Sequence, residues 1–185
     1  SPSKEILLKF LLNLITTPLI NSSDIKMFDP APRINIFSSL FNFFKIFTYN
    51  DIDFYDDYAH HPTEIKVVLD GVNKVYNGYD KVCVFQPHRI SRLKDLKKEF
   101  SYAFQDADTV ILCPIYTAGE KIKLGFSYLD FAKEIIKNSK VKLFLVDDNN
   151  QLAKFIKKNM YGKKIVIGMG AGSISNWMRK LPKLM

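Results

Sequence analysis

From about residue 52 onward, short apolar runs alternate with amphipathic stretches, and this alternation restricts the chain to very few architectures. Ile52–Tyr55, Lys81–Phe85, Thr109–Pro114, Val141–Val146 and Lys164–Ile167 read as strands. Helical periodicity fills the intervals, from Pro62 to about Tyr76 and then over about 90–103, 125–137 and 149–159. After Gly168–Gly172 comes a last helix carrying Trp177. Strands that are apolar on both faces, each followed by an amphipathic helix, predict a mostly parallel sheet of Rossmann-like architecture with helices on both sides. In such sheets ligands collect at the C-terminal ends of the strands. The unusual polar residues of this chain fall at those ends.

Residues 1–50 break the rhythm, and a division is expected there: a helical or irregular segment over 1–50, then the α/β domain over 51–185. Ile6–Ile20 is apolar, but Lys9 and Asn13 interrupt it and Pro18 ends it. It falls short of the roughly 20 residues that a membrane span needs, and its spacing suits a helix on a core. Asn21–Arg33 reads as loop. Asn35–Phe47 is rich in Phe, has no charge before Lys45, and is expected to pack on another element.

Composition bears on partners and compartment. The 185 residues carry a net charge of +8, which raises the question of a polyanion. Only Arg33, Arg89, Arg92 and Arg179 of the 27 basic residues are arginine, and the lysines scatter along helices, which speaks against nucleic-acid readout. Cys83 and Cys113 lie singly inside apolar runs without metal-ligand spacing, as expected of buried thiols in a reducing cytoplasm.

Three clusters carry chemistry. The first is Asp56-Asp57-Tyr58-Ala59-His60-His61-Pro62-Thr63-Glu64, between the first strand and its helix. A carboxylate there can accept ribose hydroxyls and an imidazole can meet phosphate or base, while His61 or Asp56 can equally cap the helix that Pro62 and Glu64 open. In the second, Phe85-Gln86-Pro87-His88-Arg89-Ile90-Ser91-Arg92, two arginines three apart open a helix. That placement opposes the helix dipole and becomes favourable with an anion such as an α-carboxylate or phosphate between them; the alternative is a surface pair in water. The third, Gly168-Met169-Gly170-Ala171-Gly172-Ser173-Ile174, fits either phosphate binding through backbone N–H groups or simply a tight turn. The chain has no Gly-x-x-x-x-Gly-Lys-Ser/Thr loop for gripping ATP phosphates, no set with zinc spacing and no Gly-x-Ser-x-Gly elbow.

The first two clusters together resemble the C-terminal domain of UDP-N-acetylmuramate–L-alanine ligases, in the Mur ligase family. Phe100, Phe104, Ala107-Asp108, Tyr116 with Ala118-Gly119-Glu120, Gly170–Ile174 and Trp177 extend the resemblance over roughly residues 52–181. It implies an ATP- and Mg2+-dependent amide-forming ligase of peptidoglycan synthesis, acting in the cytoplasm and serving cell shape and division. Its substrates would be UDP-N-acetylmuramate and L-alanine. By position, Arg89 and Arg92 would hold the alanine carboxylate, with His88 and Tyr58 completing the pocket. Asp57 would contact the ATP ribose, with His60 nearby. No catalytic or metal-binding residue is assigned to this chain. The family's basic Gly-x-x-Arg-Arg-Phe-like element is replaced near its place by Phe44-Lys45-Ile46-Phe47. The UDP-sugar and ATPase domains of such ligases find no match in residues 1–40, so the chain alone is expected not to ligate. The alternative is a stand-alone module that keeps the fold and binds another ligand or partner.

Overall fold

The computed structural model describes residues 43–121 and 126–185. The expected helix over Ile6–Ile20 and loop over Asn21–Arg33 lie outside them. Six strands form one sheet: β1 (Phe44–Tyr49), β2 (Ile52–Asp57), β3 (Asp80–Phe85), β4 (Thr109–Leu112), β5 (Lys142–Leu145) and β6 (Lys164–Met169). The helices are α1 (Pro62–Val75), α2 (Ile90–Asp95), α3 (Lys97–Ser101), α4 (Tyr128–Ser139), α5 (Asn149–Asn159) and α6 (Ile174–Leu184). The sheet order is β1-β2-β6-β3-β4-β5. All pairs are parallel except β1–β2.

Alternation along each strand divides the apolar side chains between two cores. Tyr55, Cys83, Phe85, Val110, Leu112, Ile165 and Ile167 join residues of α1 to α4 on one face. Phe54, Val82, Val84, Ile111 and Val166 join α5 and α6 on the other. Phe85, Phe100 and Phe104 are fully buried, and the Phe85 ring lies 5.7 and 5.3 Å from the other two. Each such burial contributes about 1.5–3 kcal/mol. A sheet covered on both faces is the expected architecture.

Two features differ from the sequence expectation. β1 lies N-terminal to the division expected at residue 50, yet it is a member of the sheet. Asn50 and Asp51 have φ of 47° and 63°, the left-handed pair of a two-residue hairpin turn. Phe47 stacks on Phe54 at 4.2 Å, and Lys45 Nζ meets Asp53 Oδ1 at 2.6 Å. The helix expected over 90–103 is two short helices, because Leu96 at φ −114°, ψ 23° leaves the helical region. Among the described residues no helix is long and apolar enough to cross a membrane.

Candidate functional site

Because β2, β3, β4 and β6 run parallel, the turns that follow them share one edge of the sheet. After β2, Asp57 turns the chain: its Oδ1 accepts from Ala59 N at 2.7 Å. Asp57 is only 2% exposed, and its Oδ2 has no hydrogen-bond partner among the described residues. Burial, with Asp56 and Glu64 nearby, outweighs the Ala59 bond and pushes its carboxyl up to about 7. Asp56 instead looks to α6, where Ser175 Oγ donates to its Oδ2.

The same corner caps itself. His61 Nδ1 accepts from Thr63 N at 3.4 Å, and Glu64 Oε2 accepts from the backbone of His60 and His61 at 3.0 and 3.1 Å. With Pro62 in the first turn this is a capping box, so the capping reading of His61 holds. Asp56 does not cap.

The β3–α2 corner is built differently. Gln86 is buried; its Nε2 donates to Ser173 Oγ at 3.0 Å and its Oε1 accepts from Ile174 N at 3.0 Å. A Cβ at Gly172 would stand 2.6 Å from both Gln86 Oε1 and Tyr116 Cγ; one at Gly170 would stand 2.7 Å from the Gln86 carbonyl. The glycines of the third cluster are thus required by close packing, and the first amide of α6 is already occupied. Of the two readings of this segment, the tight turn is the one the contacts support.

Arg89 is the N-cap of α2 with φ 67° and ψ 135°, and no side chain of its own corner caps the helix. Arg89 stands outside the helix as its N-cap, so the helical repeat does not set its separation from Arg92; both charges act on His88. Arg92 Nη1 donates to His88 Nδ1 at 3.2 Å. A guanidinium has only donors, so this Nδ1 is unprotonated and the ring proton sits on Nε2. Burial first, then Arg92, His60 and Arg89, lowers the His88 pKa, in agreement with a neutral ring. In His60, by contrast, Nδ1 carries a proton: it lies 3.0 Å from the Tyr58 carbonyl, which can only accept.

The rings form a row. Tyr58 and His60 centroids are 5.3 Å apart, His60 and His88 5.7 Å, and His88 lies parallel to Tyr116 at 5.6 Å. Tyr58 is 56% and Tyr116 42% exposed, so the row faces solvent. Tyr58, His60, His88 and Arg92 therefore meet, while Asp57 lies buried behind them. Neither Arg89 nor Arg92 forms a salt bridge with a carboxylate among the described residues. Tyr116 and Glu120, which the sequence offers only as part of the resemblance, also stand at this edge, against His88 and Ser91. The turn-forming Ala118-Gly119 pair just before Glu120 was the one local signal that this loop folds back.

A family profile described as "Mur ligase, glutamate ligase domain" matches residues 43–172. The chain is 70% identical over 142 residues to a UDP-N-acetylmuramate–L-alanine ligase from Pelagibacter ubique, covering 77% of this chain and 31% of that one. A ligase of the same name from Bartonella bacilliformis is 38% identical over 136 residues, covering 74% and 28%. Among solved structures, a UDP-N-acetylmuramate-alanine ligase from Thermotoga maritima superimposes with a TM-score of 0.58 at 26% identity, over 75% of this chain and 28% of that chain. A domain of a putative UDP-N-acetylmuramate:L-alanyl-gamma-D-glutamyl-diaminopimelate ligase from Haemophilus ducreyi gives 0.56 at 22% identity, over 77% and 98%, and shares the fold. The chain spans less than a third of the length of these two curated relatives.

Proposed function

The chain belongs to the Mur ligase family, and from that premise we propose that it is the amino-acid-receiving part of an ATP-dependent UDP-N-acetylmuramate–L-alanine ligase of peptidoglycan synthesis. The observation that carries this reading is the pair Arg89 and Arg92, without carboxylate partners, beside a neutral His88 at the C-terminal edge of the sheet. Two cations beside an aromatic row suit a small α-amino acid: the carboxylate takes charge-assisted bonds from the arginines, and no residue of the row supplies a competing anion. Tyr58 and His88 bound the space left for the side chain. A neutral His88 does not repel the amine.

In this reading ATP activates the muramic carboxylate from domains outside the described residues. This chain's part is to hold alanine so that its amine meets the activated group with water excluded. Asp57 Oδ2, a buried acceptor without a partner, fits a hydroxyl donor such as the ribose. Since Asp57 is 2% exposed, the contact requires the Tyr58–His60 turn to shift, with His60 at the rim. Among the described residues no three His, Cys, Asp or Glu converge as a metal site. Unpaired, buried Cys83 and Cys113 support placement in a reducing cytoplasm.

The test is calorimetric titration of the chain with L-alanine. Arg89→Ala is expected to weaken binding on the order of tenfold, about 1.4 kcal/mol. A wild-type chain with no saturable response, or a variant that binds as well, overturns the reading. Release of ADP by this chain alone with UDP-N-acetylmuramate and L-alanine would overturn the division of labour.

A further inference from the structure

A non-glycine residue at φ 67°, ψ 135° carries strain of about 1–3 kcal/mol and persists only where neighbours over-determine it. For Arg89 those neighbours come from the loop after β4. Arg89 N donates to the Tyr116 carbonyl at 2.9 Å, and Tyr116 N donates to the Pro87 carbonyl at 2.8 Å. These two bonds lay residues 87–89 against the loop as a single parallel bridge. The loop then reverses: Ala118 and Gly119 have φ of 51° and 87°, and Glu120 N donates to the Thr117 carbonyl at 3.0 Å. This tight turn carries Glu120 back over the start of α2. There Glu120 Oε2 accepts from Ser91 N at 3.0 Å and Oε1 from Ser91 Oγ at 2.6 Å. The first turn of α2 holds no acidic residue of its own, so Glu120 is the negative charge its exposed amides and dipole call for.

We propose that Glu120 is a positioning residue for the anion receptor: it caps α2 from a separate loop and, with the Tyr116 bridge, holds Arg89 in the backbone conformation in which it serves. This rests on Arg89 being part of that receptor. Glu120 spends both carboxylate oxygens on Ser91 and forms no ion pair with either arginine, although its charge acts on Arg89 from nearby. The Ser91 bonds hold the Glu120 carboxyl below its usual range, so the brace is present at neutral pH and is lost only on strong acidification.

The test uses the 185-residue chain, isotope-labelled for NMR, as wild type, Glu120→Ala, Glu120→Gln and Ser91→Ala. Arg89 φ is measured from scalar and residual dipolar couplings, amide exchange at Arg89 and Ser91 is followed, and L-alanine is titrated. Glu120→Ala is expected to release Arg89 from positive φ, to speed exchange at both amides, and to weaken L-alanine binding on the order of tenfold while the melting temperature stays close to wild type. Glu120→Gln, which keeps one acceptor, is expected to recover part of each effect; Ser91→Ala, which keeps the backbone bond, is expected to fall between. An unchanged Arg89 φ and unchanged exchange in Glu120→Ala overturn the proposal whatever happens to binding. Released Arg89 with a wild-type chain that ignores L-alanine upholds the brace and overturns the receptor reading alone.

Discussion

The β2–α1 and β3–α2 corners occupy equivalent places, each joining a parallel strand to the helix that follows it, and they solve the helix start in opposite ways. The first is self-sufficient: His61, Pro62 and Glu64 lie within four residues and satisfy the exposed amides by themselves. The second has a strained N-cap, a cation where an anion is favoured, and a cap borrowed from a loop 29 residues away. A corner that spends its own polar groups on folding has few left for a ligand. One braced from outside keeps its cations unpaired, at a cost in backbone strain.

Breaking the self-sufficient corner is expected to have the largest effect on stability. Glu64→Ala removes the acceptor of two backbone amides and should cost about 1–2 kcal/mol in denaturant unfolding, with L-alanine affinity unchanged. The reverse is expected at the other corner. Arg89→Gly places a residue that tolerates positive φ where strain is stored and should raise stability by about 1 kcal/mol while L-alanine binding weakens on the order of tenfold, as in Arg89→Ala. A drop in stability there would show that Arg89 is not strained.

The smallest expected effect is on pH dependence. Burial is the first cause that lowers the pKa of both His61 and His88, and both accept through Nδ1. The unfolded chain, with histidine near 6.5, therefore binds more protons than the folded one below that pH. These two histidines lower stability as pH drops below about 6.5, while the buried Asp57 carboxyl, raised to about 7 in the folded chain, works in the opposite direction over the same range. His61→Asn, which keeps a capping oxygen, should remove the α1 part of this dependence and leave the β3–α2 part. Melting curves across that range that do not separate His61→Asn from wild type would erase the distinction.

Much of this was legible beforehand because it is local. Apolar periodicity located every strand from β2 onward: β2, β3, β4 and β6 are buried on both faces, and the edge strand β5 carries an apolar run although it is mostly exposed. The capping box was legible because all its members lie together. β1 is not legible in the sequence, because Asn50-Asp51 lacks the Gly of the usual two-residue hairpin and the Phe-rich run before it shows no alternation. The break at Leu96 has no marker such as Gly or Pro. The glycines of 168–172 suited two readings until the Gln86 and Tyr116 contacts distinguished them.

By itself, then, the sequence determined the succession of strands and helices, the capped start of α1 and the gathering of polar residues at strand ends. These follow from interactions between residues a few positions apart. Only the tertiary structure decided that β6 inserts between β2 and β3, that Gln86 seals the glycine turn, and that Glu120 completes the start of α2. Those depend on which distant segments the sheet brings to one edge, and no short-range pattern encodes that.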